Sequence, residues 1–355
     1  MNGLDPEVSL PRFAKTVVAL DVGRSAVKAF ALFQGMKIPL VYPSIVTRAR
    51  VLADEETMAR VQNDTVVVDG VSYFAGETAR LYGQADSNAG LIADWTDGAE
   101  YKALVLGAFS RFGAMGVKGL EDAYVVVGTP ADHYLSGRGA LEDSTSAVLP
   151  GCQVKALSQP IGVYLSHVLD SNGSAIPDRN IGPTGRRASW IIIEVGQFDT
   201  GFTYIKEGAH QQDRDDISEG ISAAASNLKR ILQMKKIRLD LLECDEALRT
   251  GKILEFGQER SVVNEVIEAV DPVARKIIDK ANMLFSNEAS KVNGILLAGG
   301  GGGAILHRLR EKWPNTVHLP EPRMSVAEGY LRYATSVMQK RLKEEKSANL
   351  AVGNV

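Results

Sequence analysis

Leu20-Asp21-Val22-Gly23-Arg24-Ser25, near the start of this 355-residue chain, places a carboxylate and a glycine turn directly after the short apolar run Thr16 to Leu20. Two later segments, Glu194-Val195-Gly196 and the glycine run Gly299 to Gly303, follow apolar runs in the same way. Short β-branched runs that end in an acid or in glycines are typical of buried strands that present a turn to a ligand. The three turns therefore predict one phosphate-bearing ligand that all of them contact.

The composition predicts a soluble globular protein with a substantial core. Apolar residues make up 45% of the chain, and 40 basic residues nearly balance 43 acidic ones, giving a formal net charge of -3. Any contact with DNA is therefore expected to be indirect. The only cysteines, Cys152 and Cys244, are too few for a disulfide framework or a zinc site. Met1 to Lys15 lacks an apolar signal region, so the sequence predicts a cytoplasmic protein without a membrane span.

Hydrophobic patterns predict the main elements. The residues around Asp69-Gly70 predict a two-residue hairpin turn within Asp64 to Ala75. The other strands are predicted at Thr16 to Leu20, Val27 to Phe33, Lys37 to Val41, Ala123 to Val127, Val154 to Leu157, Trp190 to Ile193 and Gly201 to Ile205. Helices are predicted at Glu100 to Gly113, Ile161 to Leu169, Ile217 to Met234, Leu239 to Arg249, Arg260 to Phe285, from about Ala304, and at Ser325 to Lys343.

The second half of the chain repeats the pattern of the first. After the Gly-, Pro- and Ser-rich segment Asp170 to Arg187, a strand, an acid-and-glycine turn and a second strand follow one another again. This repetition indicates two related domains. The charged and then polar tail from Arg341 to Val355 is expected to be frayed.

The chemistry of the turns suits a nucleotide and a magnesium ion. Asp21 and Glu194 could hold Mg²⁺ through water as a facing pair, and so neutralise phosphates. Backbone N–H groups from Gly23 onwards and the Ser25 hydroxyl could bind phosphate oxygens, with Lys28 adding a positive charge. The glycines from Gly299 to Gly303 let a backbone pass against adenine or ribose. Taken singly, each pattern is also compatible with a plain turn or a flexible loop.

As a set, these motifs resemble the superfamily of actin, heat-shock chaperone and sugar-kinase ATPases. Within it the chain is most similar to the bacterial plasmid-segregation actins, the ParM or StbA family. The matching segments are Leu20 to Lys28, Ser158 to Gly162, Glu194 to Gly201 and Leu297 to Gly303, supported by Tyr73 to Ala79, Val126 to Pro130 and Glu328 to Tyr330.

The resemblance implies a two-domain actin-like α/β fold, each domain a mixed sheet flanked by helices, with the nucleotide in the cleft. Domain I would span 1–185 and domain II 186–324, with helix 325–343 packing back on domain I. It implies ATP or ADP with Mg²⁺, catalytic roles for Asp21, Gln159 and Glu194, and metal contact through water by Asp21 and Glu194. Nucleotide contacts would come from Gly23, Arg24, Ser25, Lys28, Gly196, Gln197, Phe198, Asp199, Gly299, Gly300, Gly301 and Gly302.

The implied function is an ATPase that forms filaments with itself and segregates plasmid DNA through a DNA-binding adaptor protein. The second turn departs from the family pattern, because Glu194 stands where Asp is usual and Asp199 adds a negative charge. Arg24 stands where a small hydroxyl residue is common. These departures leave open a nucleotide-binding scaffold with little turnover. A small-molecule kinase of the same superfamily is the other alternative.

Overall fold

The computed structural model describes residues 15–52, 54–83, 95–130 and 134–352. The described chain forms two compact units: unit 1 runs to Arg179 and resumes at Met324, and unit 2 is Asn180–Arg323. The N-terminal segment before Lys15, discussed above for its lack of a signal region, lies outside the described residues. The boundary expected between domains at 185/186 stays a prediction.

The elements follow one another along the described chain as strands and helices. The first part contains β1 (Val17–Val22), β2 (Ala26–Phe33), β3 (Met36–Pro43), β4 (Val46–Arg48), α1 (Glu55–Arg60), β5 (Thr65–Val68), β6 (Val71–Ala75), α2 (Glu77–Tyr82), α3 (Ala99–Ala114), β7 (Tyr124–Thr129), α4 (Tyr134–Val148), β8 (Gln153–Ser158), α5 (Gln159–Val168) and α6 (Pro177–Asn180). The rest contains β9 (Trp190–Val195), β10 (Asp199–Lys206), β11 (Ala209–His210), β12 (Asp216–Glu219), α7 (Ser222–Met234), α8 (Leu241–Thr250), β13 (Lys252–Glu255), β14 (Gln258–Ser261), α9 (Val263–Phe285), β15 (Gly294–Ala298), α10 (Gly302–Lys312), β16 (Thr316–His318) and α11 (Ser325–Val352).

A five-stranded sheet in the order β3-β2-β1-β7-β8 forms the centre of unit 1. Strand β1 pairs antiparallel with β2 and parallel with β7, which pairs parallel with β8. Leu20 and Val127 lie in the core on one face, together with Tyr101 and Phe112 of α3. A smaller sheet, β4-β6-β5, contains the hairpin predicted around Asp69-Gly70, and both turn residues have the positive φ angles that such a turn requires.

Helices α5 and α11 cross in unit 1 at two glycines. A Cβ built on Gly329 would lie 1.7 Å from the carbonyl oxygen of Gly162, and one on Gly162 would lie 2.7 Å from the ring of Tyr330. Tyr330 is fully buried and donates a hydrogen bond of 3.3 Å to the Leu157 carbonyl. This close approach fixes α5 next to the end of β8, and Gln159 is the first residue of α5.

Unit 2 is built around a sheet of the order β11-β10-β9-β15-β16, with β12 paired to β10. Strand β9 pairs antiparallel with β10 and parallel with β15. The hairpin β9–β10 and its parallel neighbour β15 repeat the arrangement of β1–β2 with β7 in unit 1. The repetition predicted from the sequence is thus present in the two sheets. Ile191, Ile193 and Leu297 pack in the core against α9 residues such as Ile277.

Several predicted boundaries were wrong. Residues Asp216–Glu219 form β12 rather than the start of the helix predicted from Ile217, because they pair with β10. The helix predicted from Arg260 begins at Val263, and the preceding residues form the hairpin β13–β14. The tail expected to be frayed from Arg341 is helical to Val352 as part of α11. Among the described residues, no helix has the length and apolarity required to cross a bilayer.

Candidate functional site

Asp21 is the centre of a polar network in unit 1. The sequence analysis put this residue just after the strand, but it lies within β1, directly opposite Lys28 of β2. Its side chain is only 2% exposed, and Lys28 Nζ lies 2.7 Å from its Oδ2. Gln159 Nε2 donates a hydrogen bond of 3.0 Å to Oδ1 of the same carboxylate. Three residues predicted for the site are therefore in direct contact, although Gln159 is distant in sequence.

The turn between β1 and β2 presents its backbone beside this network. Gly23 N donates to the Ala26 carbonyl at 3.2 Å, and Ser44 donates to the Gly23 carbonyl through its hydroxyl. A Cβ on Gly23 would lie 2.9 Å from Lys28 Nζ, so a side chain here would displace the lysine. Ser25 is exposed, and Arg24 has no ion-pair partner among the described residues. An anion could therefore approach both from solvent.

Two buried hydroxyls lie at the same edge of the unit 1 sheet. Thr129 and Ser158 are paired at the carboxyl ends of the parallel strands β7 and β8, immediately before Gln159. Thr129 is 3% exposed and Ser158 is 1% exposed. Neither hydroxyl has a hydrogen-bond partner within the described part of the chain. Both lie in segments that carry the resemblance, but the sequence analysis did not select them as site residues, because buried Thr and Ser at strand ends look like ordinary core residues.

The second turn lies in unit 2 between β9 and β10. Glu194 is within β9 and half-buried, and Asp199 opens β10 rather than lying in the loop. Gly196 N donates to the Asp199 carbonyl at 2.9 Å, and the Gln197 and Phe198 carbonyls accept from Ser222 N and Gly220 N at 2.7 and 3.0 Å. This turn is held by backbone bonds to the segment that starts α7.

Gly220 is a site residue that the sequence analysis missed. A Cβ there would lie 2.6 Å from Asp199 N and from the Gln197 backbone, so only glycine lets this segment approach the turn. A lone glycine in Ser218-Glu219-Gly220-Ile221 gives no such signal in the sequence.

The glycine run packs directly on the second turn. Gly301 N donates to the Val195 carbonyl at 2.9 Å, and Gly299 has a φ of +83°. A Cβ on Gly299 would lie 2.2 Å from that same carbonyl oxygen, and one on Gly301 would lie 2.7 Å from Val195 Cγ1. These two glycines are therefore required by contact with the protein itself, which explains them without a ligand.

Gly300 and Gly303 are the open members of the run. Both are exposed, and a Cβ on Gly303 would meet nothing within 4 Å, while one on Gly300 would reach only Arg323 Cγ at 3.9 Å. Gly302, also predicted for the site, is buried against Leu297. If a flat ligand contacts this run, the geometry favours Gly300 and Gly303 as the contact points.

A charged cluster beside these residues was also missed. Gln197 Nε2 donates to Asp245 Oδ1 of α8 at 2.7 Å, and Arg249 Nη2 lies 3.6 Å from Asp245 Oδ2. Desolvation and the nearby Arg249 lower the pKa of Arg323, while Asp245 acts in the opposite direction. Gln197, a predicted contact, is thus connected to α8, whose sequence resembles an ordinary amphipathic helix.

The donor set suits a magnesium ion held mainly by water and phosphate. Among the described residues, no group of three or more His, Cys, Asp or Glu side chains could hold a metal ion. Mg²⁺ usually keeps several waters and takes one or two protein carboxylates, together with substrate phosphates. Within unit 1 the Asp21 carboxylate is a ligand of this kind, and within unit 2, considered by itself, the Glu194 carboxylate is another.

A comparison with known protein families covers the first part of the chain. Residues 19–147 match the family model of the N-terminal domain of actin-like proteins. No curated protein sequence matches the chain.

Solved structures extend the likeness over most of the chain. A ParM filament of 15 strands from Clostridium botulinum is similar with a TM-score of 0.69 and 18% identity, covering 90% of this chain and 98% of that one. The actin-like protein Alp7A gives 0.70 and 13%, covering 93% and 98%. The archaeal actin homologue Ta0583 in complex with ADP gives 0.65 and 17%, covering 90% and 99%.

The protein therefore has the actin-like fold. The resemblance to actin-like proteins, predicted from the three turns, is confirmed by the match of residues 19–147 and by the fold. At these identities the likeness to ParM structures establishes the architecture, and the activity has to be argued from the site.

Proposed function

We propose that this protein is an actin-like ATPase that binds ATP with Mg²⁺, hydrolyses it and assembles into filaments. The observation that carries the proposal is the contact of the buried Asp21 carboxylate with both Lys28 and Gln159. A carboxylate, a cation and an uncharged amide at the edge of a sheet are the groups that hydrolysis of a γ-phosphate uses. The match of residues 19–147 to actin-like proteins supports the same activity.

In unit 1 each residue has a distinct proposed task. Bound Mg²⁺ would neutralise phosphate charge, and Asp21 would hold its coordinated water. Lys28 and the Gly23 to Ser25 turn would contact phosphate oxygens, with Arg24 adding charge from solvent. Gln159 would orient the attacking water, because its amide does not repel phosphate. The Asp21 contact fixes the Gln159 side chain before the nucleotide arrives.

In unit 2 the proposed contacts fall into two groups. Glu194 and the backbone from Gly196 to Asp199 would act at the phosphates. The open glycines Gly300 and Gly303, with Arg323 beside them, would contact the adenosine. Gly299 and Gly301 would act by shaping the turn, since their Cα atoms face Val195.

Filament formation and plasmid segregation complete the proposal. A Clostridium botulinum ParM of the same fold forms a 15-stranded filament, which supports self-assembly here. The formal net charge of -3 agrees with indirect contact to DNA through an adaptor protein. Head-to-tail contacts between identical subunits give open filaments when the rotation between them does not close a ring.

Purified protein incubated with Mg-ATP, with Mg-ADP and without nucleotide would test the proposal through light scattering and phosphate release in parallel. We expect scattering to rise with ATP and to fall as phosphate appears. The variant Asp21→Asn should lose phosphate release, whereas Lys118→Ala, a change at an exposed lysine of the same unit, should behave like the parent chain.

Two other outcomes would replace the proposal. Phosphate transfer that needs an added small-molecule acceptor, without scattering, would identify a kinase. Tight binding of ATP without phosphate release or scattering would identify a nucleotide-binding scaffold.

A further inference from the structure

The hairpin β13–β14 of unit 2 carries an aromatic side chain at its tip. Phe256 is 100% exposed, and Leu254, two residues earlier in β13, is 70% exposed. By contrast, Ile253 points the other way and is buried in a small core with Leu228 and Leu232. Folding therefore buries Ile253 and leaves Leu254 and Phe256 exposed to water.

The backbone conformation of Phe256 is unusual for a bulky residue. Phe256 and Gly257 form a two-residue turn with φ angles of 49° and 78°. Asn, Asp and Gly are favoured at such positions, and a bulky residue with positive φ is uncommon. Among the described residues, three other hairpins have the same turn, and their first residues are all polar: Gln34, Asp69 and Glu207. Phe256 gains no burial in the folded chain, so folding does not explain its presence.

The charged side chains of the hairpin form ion pairs with one another. Lys252 Nζ lies 2.6 Å from Glu259 Oε2, and Arg260 Nη1 lies 2.7 Å from Glu255 Oε2. The tip therefore presents apolar surface without a net charge. Such a surface suits an apolar socket on a protein and does not suit nucleic acid, whose binding depends on cationic side chains.

The size of this surface indicates the kind of contact. A phenylalanine and a leucine together bury a few hundred Å² (roughly 150–250 Å² for the aromatic), well below the ~800 Å² that each partner of a stable complex buries. Such a contact is too small to hold a dimer by itself. It can contribute when the same contact is repeated between many subunits, each with the projecting residues on one surface and the socket on another.

We propose that Phe256 and Leu254 form an apolar knob that inserts into a second copy of this chain in a head-to-tail contact. The proposal rests on the self-assembly proposed above and names a surface that carries it. The knob lies on the hairpin β13–β14, and neither residue belongs to the three turns of the candidate site. Its removal should therefore weaken assembly without changing nucleotide binding.

The test compares Phe256→Asn with Met283→Asn in the full-length protein. Asn suits the positive φ angle, so the Phe256 variant should fold at least as well as the parent. Met283 is 79% exposed on α9 of the same unit and controls for the loss of an exposed apolar side chain. The critical concentration with Mg-ATP would be measured by sedimentation, and ATP affinity by titration with a fluorescent ATP analogue.

We expect Phe256→Asn to raise the critical concentration about tenfold, equivalent to ~1.4 kcal/mol per contact, with ATP affinity unchanged. Phe256→Leu, which keeps apolar surface, should give a smaller increase, and Met283→Asn should give none. If the parent assembles and Phe256→Asn assembles equally well, the knob serves a different protein partner and the inference is overturned. If the parent does not assemble with any nucleotide, self-assembly itself is refuted and the inference falls with it.

Discussion

Gln159 Nε2 donates a hydrogen bond of 3.0 Å to Asp21 Oδ1, which joins the first residue of α5 to the buried end of β1. Because this bond fixes the amide independently of any ligand, the Gln159 side chain would already be oriented for the proposed ATP. Hydrolysis should therefore depend on Gln159 more strongly than binding does.

Replacing Gln159 by alanine tests whether this residue contributes more to hydrolysis than to nucleotide binding. We expect phosphate release to fall by at least tenfold, because the water would lose its orienting amide, while ATP affinity changes by less than about twofold. Single-turnover phosphate release and titration with a fluorescent ATP analogue measure the two effects. An equal loss in both would show that Gln159 acts in binding rather than in hydrolysis.

Lys28→Met should destabilise the folded protein as well as weaken nucleotide binding. The variant leaves the Asp21 carboxylate, 2% exposed, without its cation, and breaking a buried ion pair costs about 3 kcal/mol. The free energy of unfolding from urea titration gives the size of the loss. Lys37→Met is the control, since its ion pair with Glu328 is more exposed and should cost less than about 1 kcal/mol. Similar losses in both variants would contradict the assigned role of Lys28.

Alanine at Gly299 should lower the stability of the fold, whereas alanine at Gly300 should lower ATP affinity. Gly299→Ala would place a Cβ 2.2 Å from the Val195 carbonyl oxygen at a φ of +83°, and we expect a loss of about 3 kcal/mol of stability. Gly300→Ala meets only Arg323 Cγ at 3.9 Å, so stability should change by less than about 0.5 kcal/mol while ATP affinity falls. Urea unfolding and nucleotide titration distinguish the two. Unchanged affinity in Gly300→Ala would remove this glycine from the candidate site.

Thr129→Val and Ser158→Ala should be tolerated by the fold. Both hydroxyls are buried without hydrogen-bond partners among the described residues, so removing them relieves a desolvation cost of about 1 kcal/mol. We expect the free energy of unfolding to stay constant or to rise by about that amount. A loss of more than ~1 kcal/mol would show that the hydroxyls are satisfied by a bound water or by a residue outside the described segments.

His167 should make the protein sensitive to mild acid. Burial, together with Arg179 and Arg332, lowers the pKa of His167 to about 4 from 6.5. Between these values the unfolded chain binds more protons than the folded one, so stability should fall as the pH drops from 6.5 towards 4. The expected contribution is about 2 kcal/mol, allowing for partial solvent access.

Urea unfolding at pH 7 and pH 4.5 measures this contribution. The variant His167→Gln should lose less stability on acidification than the parent chain. His307→Gln, at an exposed position on α10, should retain the acid sensitivity of the parent. Identical pH profiles for the parent and His167→Gln would refute the role of this side chain.

The sequence was sufficient for the strands that present the three turns, because buried β-branched runs followed by glycine are a local signal. It was not sufficient where pairing between distant segments decided the outcome. Ile217 and Ile221 have helical spacing, yet Ile217 belongs to β12 because that segment pairs with β10. The hairpin β13–β14 was hidden because its turn is Phe256-Gly257 rather than the usual Asn-Gly.

Prediction of the candidate site from the sequence was limited in the same way. Asp21, Lys28 and Gln159 could be selected from motif and chemistry, and the structure places them in contact. The glycine run was interpreted as a ligand surface, but Gly299 and Gly301 are explained by Val195, about 100 residues earlier in the chain. A glycine required by a distant backbone and one required by a ligand look identical in the sequence.

The crossing of α5 and α11 affects the order in which the two units can fold during synthesis. Unit 1 is discontinuous, because it includes the segment from Met324 onward, whereas unit 2 is a single continuous stretch. Helix α11, which packs through Gly329 and Tyr330 against α5, emerges during synthesis only after the whole of unit 2. Domains fold as units while the chain is being synthesised. Unit 2 can therefore fold once its own stretch has been synthesised, whereas unit 1 must wait for α11 before its core is complete.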